Sequence, residues 1–405
     1  MLSCATTAAP IDVRASVDLA PDPSVDLRVV LPPERAREAE RYVKAASYAL
    51  RECTRALGRF DARHLTLVDA GVRQGGPDPD AVRVAAVPWW TAATSMAPEL
   101  AVARGVTERC WSTAFDSSAL PRWFVDGLAE FSARRAVVPI FEGLNTPPGY
   151  AFLEERYFGG FVPRFVRIRL RAETDGPPVS AYRARAGAEI GSGLDSPGSR
   201  HALAGKTVLA LGTLERWLGR PVFDEIIAEF VRASKERTPQ LADFERVASN
   251  ASGQQLDWFF DQAFRSSGKF DYGVEALVSE PDADGAFVTT VTARRYGAAR
   301  FTGASGNRIG GFDNGRGITL HVVFTDGQDR TDWWDGRDER RTFRYRSPAP
   351  VVSATIDPER VLVLDLEQTN NSRTLTPRTA AAATRWGSIY LVWLEHLLLS
   401  YASLA

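Results

Sequence analysis

The spacing of apolar residues changes once along this chain, near Tyr272, and that change constrains the fold more than any other feature. Over residues 204–264 the apolar side chains follow a helical period, broken at Gly219-Arg220-Pro221 and near Thr238-Pro239. Beyond Tyr272 the stretches 287–293, 318–324, 341–345, 351–356 and 361–365 are short, alternate in polarity and read as strands, and Asp326-Gly327 sits between two of them as a hairpin turn. A helical run followed by a run of strands specifies an α+β chain with its strands gathered at one end.

Upstream, residues 13–19 and 25–31 alternate as strands and Pro32-Pro33 stops them. Residues 34–57 form an amphipathic helix with Pro33 at its start and Gly58 just past its end. A strand follows at 64–69, then a polar loop at 71–80, a helix over 98–112, and a second helix opening at Pro121 and running to about 135. Residues 157–170 are aromatic and basic without a clear period, and 175–200 read as a long surface loop rich in Gly, Pro and Ser. The chain closes in an apolar helix over 380–405 that carries Trp386 and Trp393. It is long enough to cross a bilayer, but Glu395 and His396 fall in its middle, so packing or an interfacial position is the favoured expectation.

Composition removes several function classes. The 405 residues carry a net charge of -1 with no long run of either sign, so no general attraction to nucleic acid is expected. Cys4, Cys53 and Cys110 form no CxxC pair, which excludes a cysteine-type zinc site. They leave room for one disulfide, while their odd number argues against a disulfide framework. Residues 1–10 lack a charged start and a long apolar core and do not read as a signal peptide. The four His (His64, His201, His321 and His396) lie far apart in sequence and support no Ser-His-Asp or Cys-His arrangement. Gly310-Gly311 lies among strands rather than before a helix and is no phosphate loop.

Three phrases resemble one family. Trp123-Phe124-Val125-Asp126-Gly127-Leu128-Ala129-Glu130-Phe131 resembles the third-ligand helix of the membrane alanyl aminopeptidases (gluzincins, peptidase family M1). Residues 206–219 resemble the family's following helix. The phrase Leu256-Asp257-Trp258-Phe259-Phe260-Asp261-Gln262 is the most specific match. Trp334-Asp335-Gly336-Arg337, Ile356-Asp357-Pro358 and Asn370-Asn371-Ser372 are similar to the C-terminal domain of bacterial members. The likeness spans roughly residues 25–373. It implies a thermolysin-like, mostly helical catalytic-type domain over 33–271, a β-sandwich over 272–375 and a terminal apolar helix over 376–405. Residues 1–32 are then two strands left from the family's larger N-terminal β-domain. The resemblance also implies a cell-envelope or periplasmic setting.

The chemistry of that family needs two His one helical turn apart, with a Glu between them as general base. A carboxylate on the next helix completes the zinc triad, and a Tyr stabilises the oxyanion. Aligning the phrases places H-E-x-x-H on Arg104-Gly105-Val106-Thr107-Glu108, or in a second register on residues 98–102 with only Glu99 kept. Neither register contains a His, and Arg104 is a fixed cation that does not ligate zinc. The third ligand becomes Asp126, the catalytic Tyr falls on Ala204, and the family's amine-anchoring motif has no counterpart over 71–97. The resemblance therefore implies a vestigial site of Arg104, Glu108, Asp126 and Ala204. Glu108 and Asp126 are weak metal candidates, and zinc enters only in an alternative reading as an aminopeptidase with atypical ligands.

Each candidate has a plainer reading. Glu108 and Asp126 form either an acidic pocket or, more often in such positions, salt bridges to Arg104 or Arg109. Glu130 shares a helix face with Asp126 and is assigned a structural role, and His201 is read as a surface His. Trp89-Trp90 and Phe158-Gly159-Gly160-Phe161 are packing and turn residues before they are groove or lid. The expectation is a pseudopeptidase scaffold that binds a peptide or partner protein or has a structural role, with membrane association through the terminal helix as a further prospect.

Overall fold

The computed structural model describes residues 9–19, 22–58, 60, 62–72, 81–85, 96–141, 179, 181–183, 197–235, 237–303 and 317–402. Trp89-Trp90, residues 157–170, Phe158 to Phe161, Gly310-Gly311 and most of 71–80 and 175–200 lie outside them. The first sheet holds β1 (Ile11–Leu19), β2 (Asp22–Leu31), β3 (His64–Asp69) and β4 (Ala81–Val84) in that order. β1 and β2 are antiparallel, whereas β2, β3 and β4 run parallel. Alternation buries Val17, Leu19, Val25, Leu27, Val29 and Leu31 on one face and leaves Asp12, Arg14 and Asp26 exposed on the other. The sheet thus crosses the boundary expected at residue 32.

Between β2 and β3 the chain makes a short 3-10 turn, Pro33–Glu38, and then the helix α1 (Ala39–Leu57). A buried cluster fixes its start. Arg35 Nη1 lies 2.7 Å from Asp69 Oδ2, the Tyr42 hydroxyl donates to the same oxygen at 2.8 Å, and the Gly71 N–H donates to Asp69 Oδ1 at 2.8 Å. The Asp69 carboxylate is fully desolvated, so these partners are what keeps its charge tolerable inside the fold.

The helical layer continues as α2 (Ala97–Ala114), α3 (Arg122–Phe141), α4 (Pro197–Leu218), α5 (Arg220–Ser234), α6 (Leu241–Ser252) and α7 (Asp257–Phe260), the last running into a π-type turn, Asp261–Arg265. The breaks fall where the sequence sets them. Gly219 takes a left-handed φ of 83° between α4 and α5, and Gln240 with Asp243 forms a capping box at the start of α6. Phe259 and Phe260 of the phrase 256–262 are fully buried, and Trp258 meets Trp217 edge-on at 5.5 Å between ring centres.

Two contacts set how tightly the helices approach. A Cβ on Gly127 of α3 would stand 2.5 Å from Thr207 Cβ and 3.1 Å from the Ala204 carbonyl of α4, so only glycine permits this crossing. Cys53 of α1 and Cys110 of α2 form a buried disulfide with Cα atoms 6.2 Å apart, using the one bridge that the cysteine count leaves room for.

The second half of the chain forms two antiparallel sheets from β5 (Tyr272–Pro281), β6 (Phe287–Arg295), β7 (Ile318–Phe324), β8 (Asp329–Trp334), β9 (Arg340–Ser347), β10 (Val351–Ile356) and β11 (Ser372–Thr374). Their orders are β5-β6-β9 and β11-β10-β7-β8. The hairpin at Asp326-Gly327 joins β7 to β8, with Gly327 at a φ of 83°. β5, β8 and β11 are not among the expected strands. β8 opens Asp-Arg-Thr-Asp with no apolar alternation, and neighbouring strands rather than its own pattern recruit it. The expected strand at 361–365 is corrected. Only a single bridge from Asp365 to Phe270 forms, because this stretch turns back to dock on α4.

The terminal helix α8 (Thr379–Ala402) forms, but the expectation that it is apolar is corrected. Thr384, Arg385, Ser388, Glu395 and His396 interrupt it, and no helix among the described residues is long and apolar enough to cross a membrane. It exposes Trp386, Tyr390 and Leu391.

Two outcomes follow from this packing. Non-reducing peptide mapping should recover a Cys53–Cys110 linked pair, and replacing both by Ser should lower the unfolding free energy by about 2–4 kcal/mol. Gly127→Ala, read by urea unfolding, should cost about 1–3 kcal/mol because the added methyl meets Thr207.

Candidate functional site

α2 and α3 pack side by side and carry the positions at which the family resemblance places the metal. Small residues allow the approach. Thr107 of α2 donates its hydroxyl to the Ala129 carbonyl of α3 at 2.8 Å, and the Trp111 indole N–H donates to Ser132 Oγ at 3.0 Å. A Cβ on Gly105 would stand 2.6 Å from Val82 of β4, so α2 also lies close on the first sheet.

Arg104 points from α2 to α3, where its Nη2 lies 2.8 Å from Glu130 Oε1 and its Nε 2.5 Å from Glu130 Oε2. Arg134 adds a second cation to the same carboxylate at 3.2 Å. The Glu130 side chain is only 7% exposed and two guanidiniums neutralise it, so its role here is to tie α2 to α3.

Asp126 pairs with Arg122 at 3.1 Å on its own helix and lies 3.8 Å from Arg200 of α4. The salt bridge expected of Asp126 is thus present, with Arg122 and Arg200 in place of Arg104 and Arg109. Glu108 has no ion-pair partner among the described residues. Its side chain is open to solvent, yet protein crowds the carboxyl enough that desolvation raises its pKa. The charges of Asp126 and Glu130 raise it further, and those of Arg104 and Arg122 oppose the rise. Ala204 is buried against Gly127 and offers no hydroxyl.

The second register fares differently. Glu99 is buried and takes a two-point hydrogen bond from Arg41 of α1, Nε to Oε1 at 2.6 Å and Nη2 to Oε2 at 2.7 Å. His201 is exposed on α4, His64 lies on β3 beside Asp26, and His321 lies on β7 beside Asp329. Among the described residues no three His, Cys, Asp or Glu side chains are grouped as a metal ion requires.

Sequence reasoning did not single out two buried polar groups. Lys206 is 2% exposed, donates to the Ser266 carbonyl at 2.7 Å, and burial lowers its pKa to about 8. Arg135, on α3 two turns past the site, reaches Asp224 at 2.7 Å, Glu215 at 3.1 Å and Glu52 at 3.5 Å. The only sequence signal for it was an arginine on the inner face of an apolar helix.

No family model matches this chain, and no curated protein does. Among solved structures, aminopeptidase A of Legionella pneumophila, determined in complex with aspartic acid, superposes with a TM-score of 0.52 at 12% identity over 88% of this chain. This chain spans 38% of that protein's length. An M1 zinc metallopeptidase of Deinococcus radiodurans is matched over 64% of this chain and 52% of its own, at 14% identity and a TM-score of 0.40. At these identities the likeness is one of fold alone: a mixed α+β chain with a helical core and β-sheets, structurally similar to M1 aminopeptidases.

Proposed function

We propose that this chain is an aminopeptidase-type scaffold without peptidase chemistry, kept to bind a peptide or partner protein. The observation that carries this reading is the Arg104–Glu130 pair. At the helix position where a zinc peptidase holds an imidazole, this chain holds a permanent cation already committed to a buried carboxylate. Bringing a divalent ion there costs repulsion with Arg104, and removing Arg104 would leave Glu130 with Arg134 alone. The remaining donors argue the same way. Asp126 is paired with Arg122, Ala204 has no hydroxyl, and Glu108 has no ion pair among the described residues. These residues do not fit a zinc triad.

The second reading, a metal-dependent aminopeptidase using Glu108 and Asp126, draws support from the like-charge crowding of those two carboxyls, which a cation would relieve. Such an oxygen-only site favours a harder ion than zinc. For location, the buried Cys53–Cys110 disulfide supports a place in an oxidising compartment of the cell envelope.

Elemental analysis of the purified chain, paired with hydrolysis of aminoacyl anilides, tests the proposal. The expected result is sub-stoichiometric zinc and no chelator-sensitive cleavage. One zinc per chain together with cleavage that a chelator abolishes would overturn it in favour of the second reading.

A further inference from the structure

Asp365 lies on the strap that joins β10 to β11, and it is 1% exposed. Its neighbours on the strap fasten the sheets to the helical layer. The Leu364 N–H donates to Thr213 Oγ of α4 at 3.2 Å, and the Leu366 N–H donates to the Phe270 carbonyl at 3.1 Å. A buried carboxylate ordinarily meets a cation, as Asp69 meets Arg35 and Glu99 meets Arg41 in this same chain. Asp365 meets none. Asn371 Nδ2 donates to its Oδ2 at 2.9 Å and the Glu367 N–H to its Oδ1 at 3.3 Å, both neutral groups.

The charged groups that act on it are Asp271, just before β5, and Asp357, at the end of β10, both of its own sign. Lys269 acts on Asp271, Arg216 of α4 acts on Asp357, and Arg295 and Arg300 act on Tyr272. The Tyr272 phenol also feels the Asp365 charge and is itself held neutral by burial. A second observation is independent of these charges. Asn371 Oδ1 is buried and has no hydrogen-bond donor, although the Nδ2 of the same amide is satisfied by Asp365. Among the described residues the cluster is rich in acceptors and short of donors, for the buried Asn370 Oδ1 beside it, whose Nδ2 is likewise taken by Asp271, has none either.

We propose that Asp365 is carried protonated in the folded chain, paired with the Asn371 amide as acid to amide, and that it acts as a pH-sensitive latch between the strap and the helical layer. The proton comes from solvent, removes the uncompensated charge and supplies the donor that Asn371 Oδ1 lacks. Loss of that proton leaves a bare carboxylate beside Asp271 and Asp357 and loosens the strap from Phe270 and Thr213. Burial is the largest influence and raises the Asp365 pKa from the ordinary 3.8 to about 7; the hydrogen bonds from Asn371 and the Glu367 N–H oppose the rise, and the charges of Asp271 and Asp357 add to it. The folded chain therefore binds the proton more tightly than the unfolded chain. The stabilisation is complete below about pH 4 and is lost as pH rises to about 7.

The test is chemical unfolding of the full chain and of Asp365→Asn at pH 5 and at pH 8. From pH 5 to pH 8 the unfolding constant of the wild type should rise about a hundredfold relative to that of D365N. A ratio that stays constant with pH overturns the proposal. Should D365N fail to fold, the wild type labelled with ¹³C at the Asp carboxyls decides by NMR. One resonance titrating near pH 7, and shifting its midpoint in Asn371→Ala, supports the latch. Titration of every Asp carboxyl below about pH 5 overturns it.

Discussion

The helix α3 sets the arrangement of everything around it, and what it demands is partners for buried charge. Glu130 and Arg135 both project from an apolar helix into protein, and each would be prohibitive alone. Glu130 is answered by Arg104 and Arg134, Arg135 by Glu52, Glu215 and Asp224. Those partners come from α2, α3, α1, α4 and α5, so a single helix fixes the relative position of four others. The Arg135 guanidinium also stands over the rings of Phe131 and Phe223, which fill the space that water would otherwise take.

This constraint bears directly on function. Helices that hold a catalytic metal must leave ligands turned into a cleft, unpaired and ready. In this chain the corresponding polar groups have been spent on packing. Arg104 is bonded to Glu130, Glu99 to Arg41 and Asp126 to Arg122. Glu108 stands apart as the one carboxylate of the group without an ion pair among the described residues. Pairing of this kind gives the helices cohesion, and on the proposed reading it stands where a metallopeptidase would keep open coordination.

Much of the fold was legible because its signals are local. His64–Asp69, Ile318–Phe324 and Val351–Ile356 carry their own alternation, and Gly219 and Gly327 mark turns by needing a left-handed backbone. What was not legible depends on partners distant in sequence. β8 is polar along most of its length and becomes a strand through β7, and 361–365 reads as a strand yet spends its N–H groups on the helical layer and its own turn. The terminal helix reads as apolar through its Leu and Trp residues, yet Arg385, Glu395 and His396 divide it.

The candidate site was legible in its residues and not in its pairings. Sequence singled out Arg104, Glu108, Asp126 and Ala204, and the structure places them on α2, α3 and α4, with α3 packed against both of the others. The choice of partner, however, is decided by side-chain reach and helix phase. Glu130 lies one turn beyond Asp126 on α3, and that single turn puts it rather than Asp126 within reach of Arg104. Asp126 is left at the outer end of the helix, where Arg122 and Arg200 are its nearest cations and solvent weakens both pairs. The acid that looked structural therefore closes the site, and the acid that looked like a ligand is held on its rim.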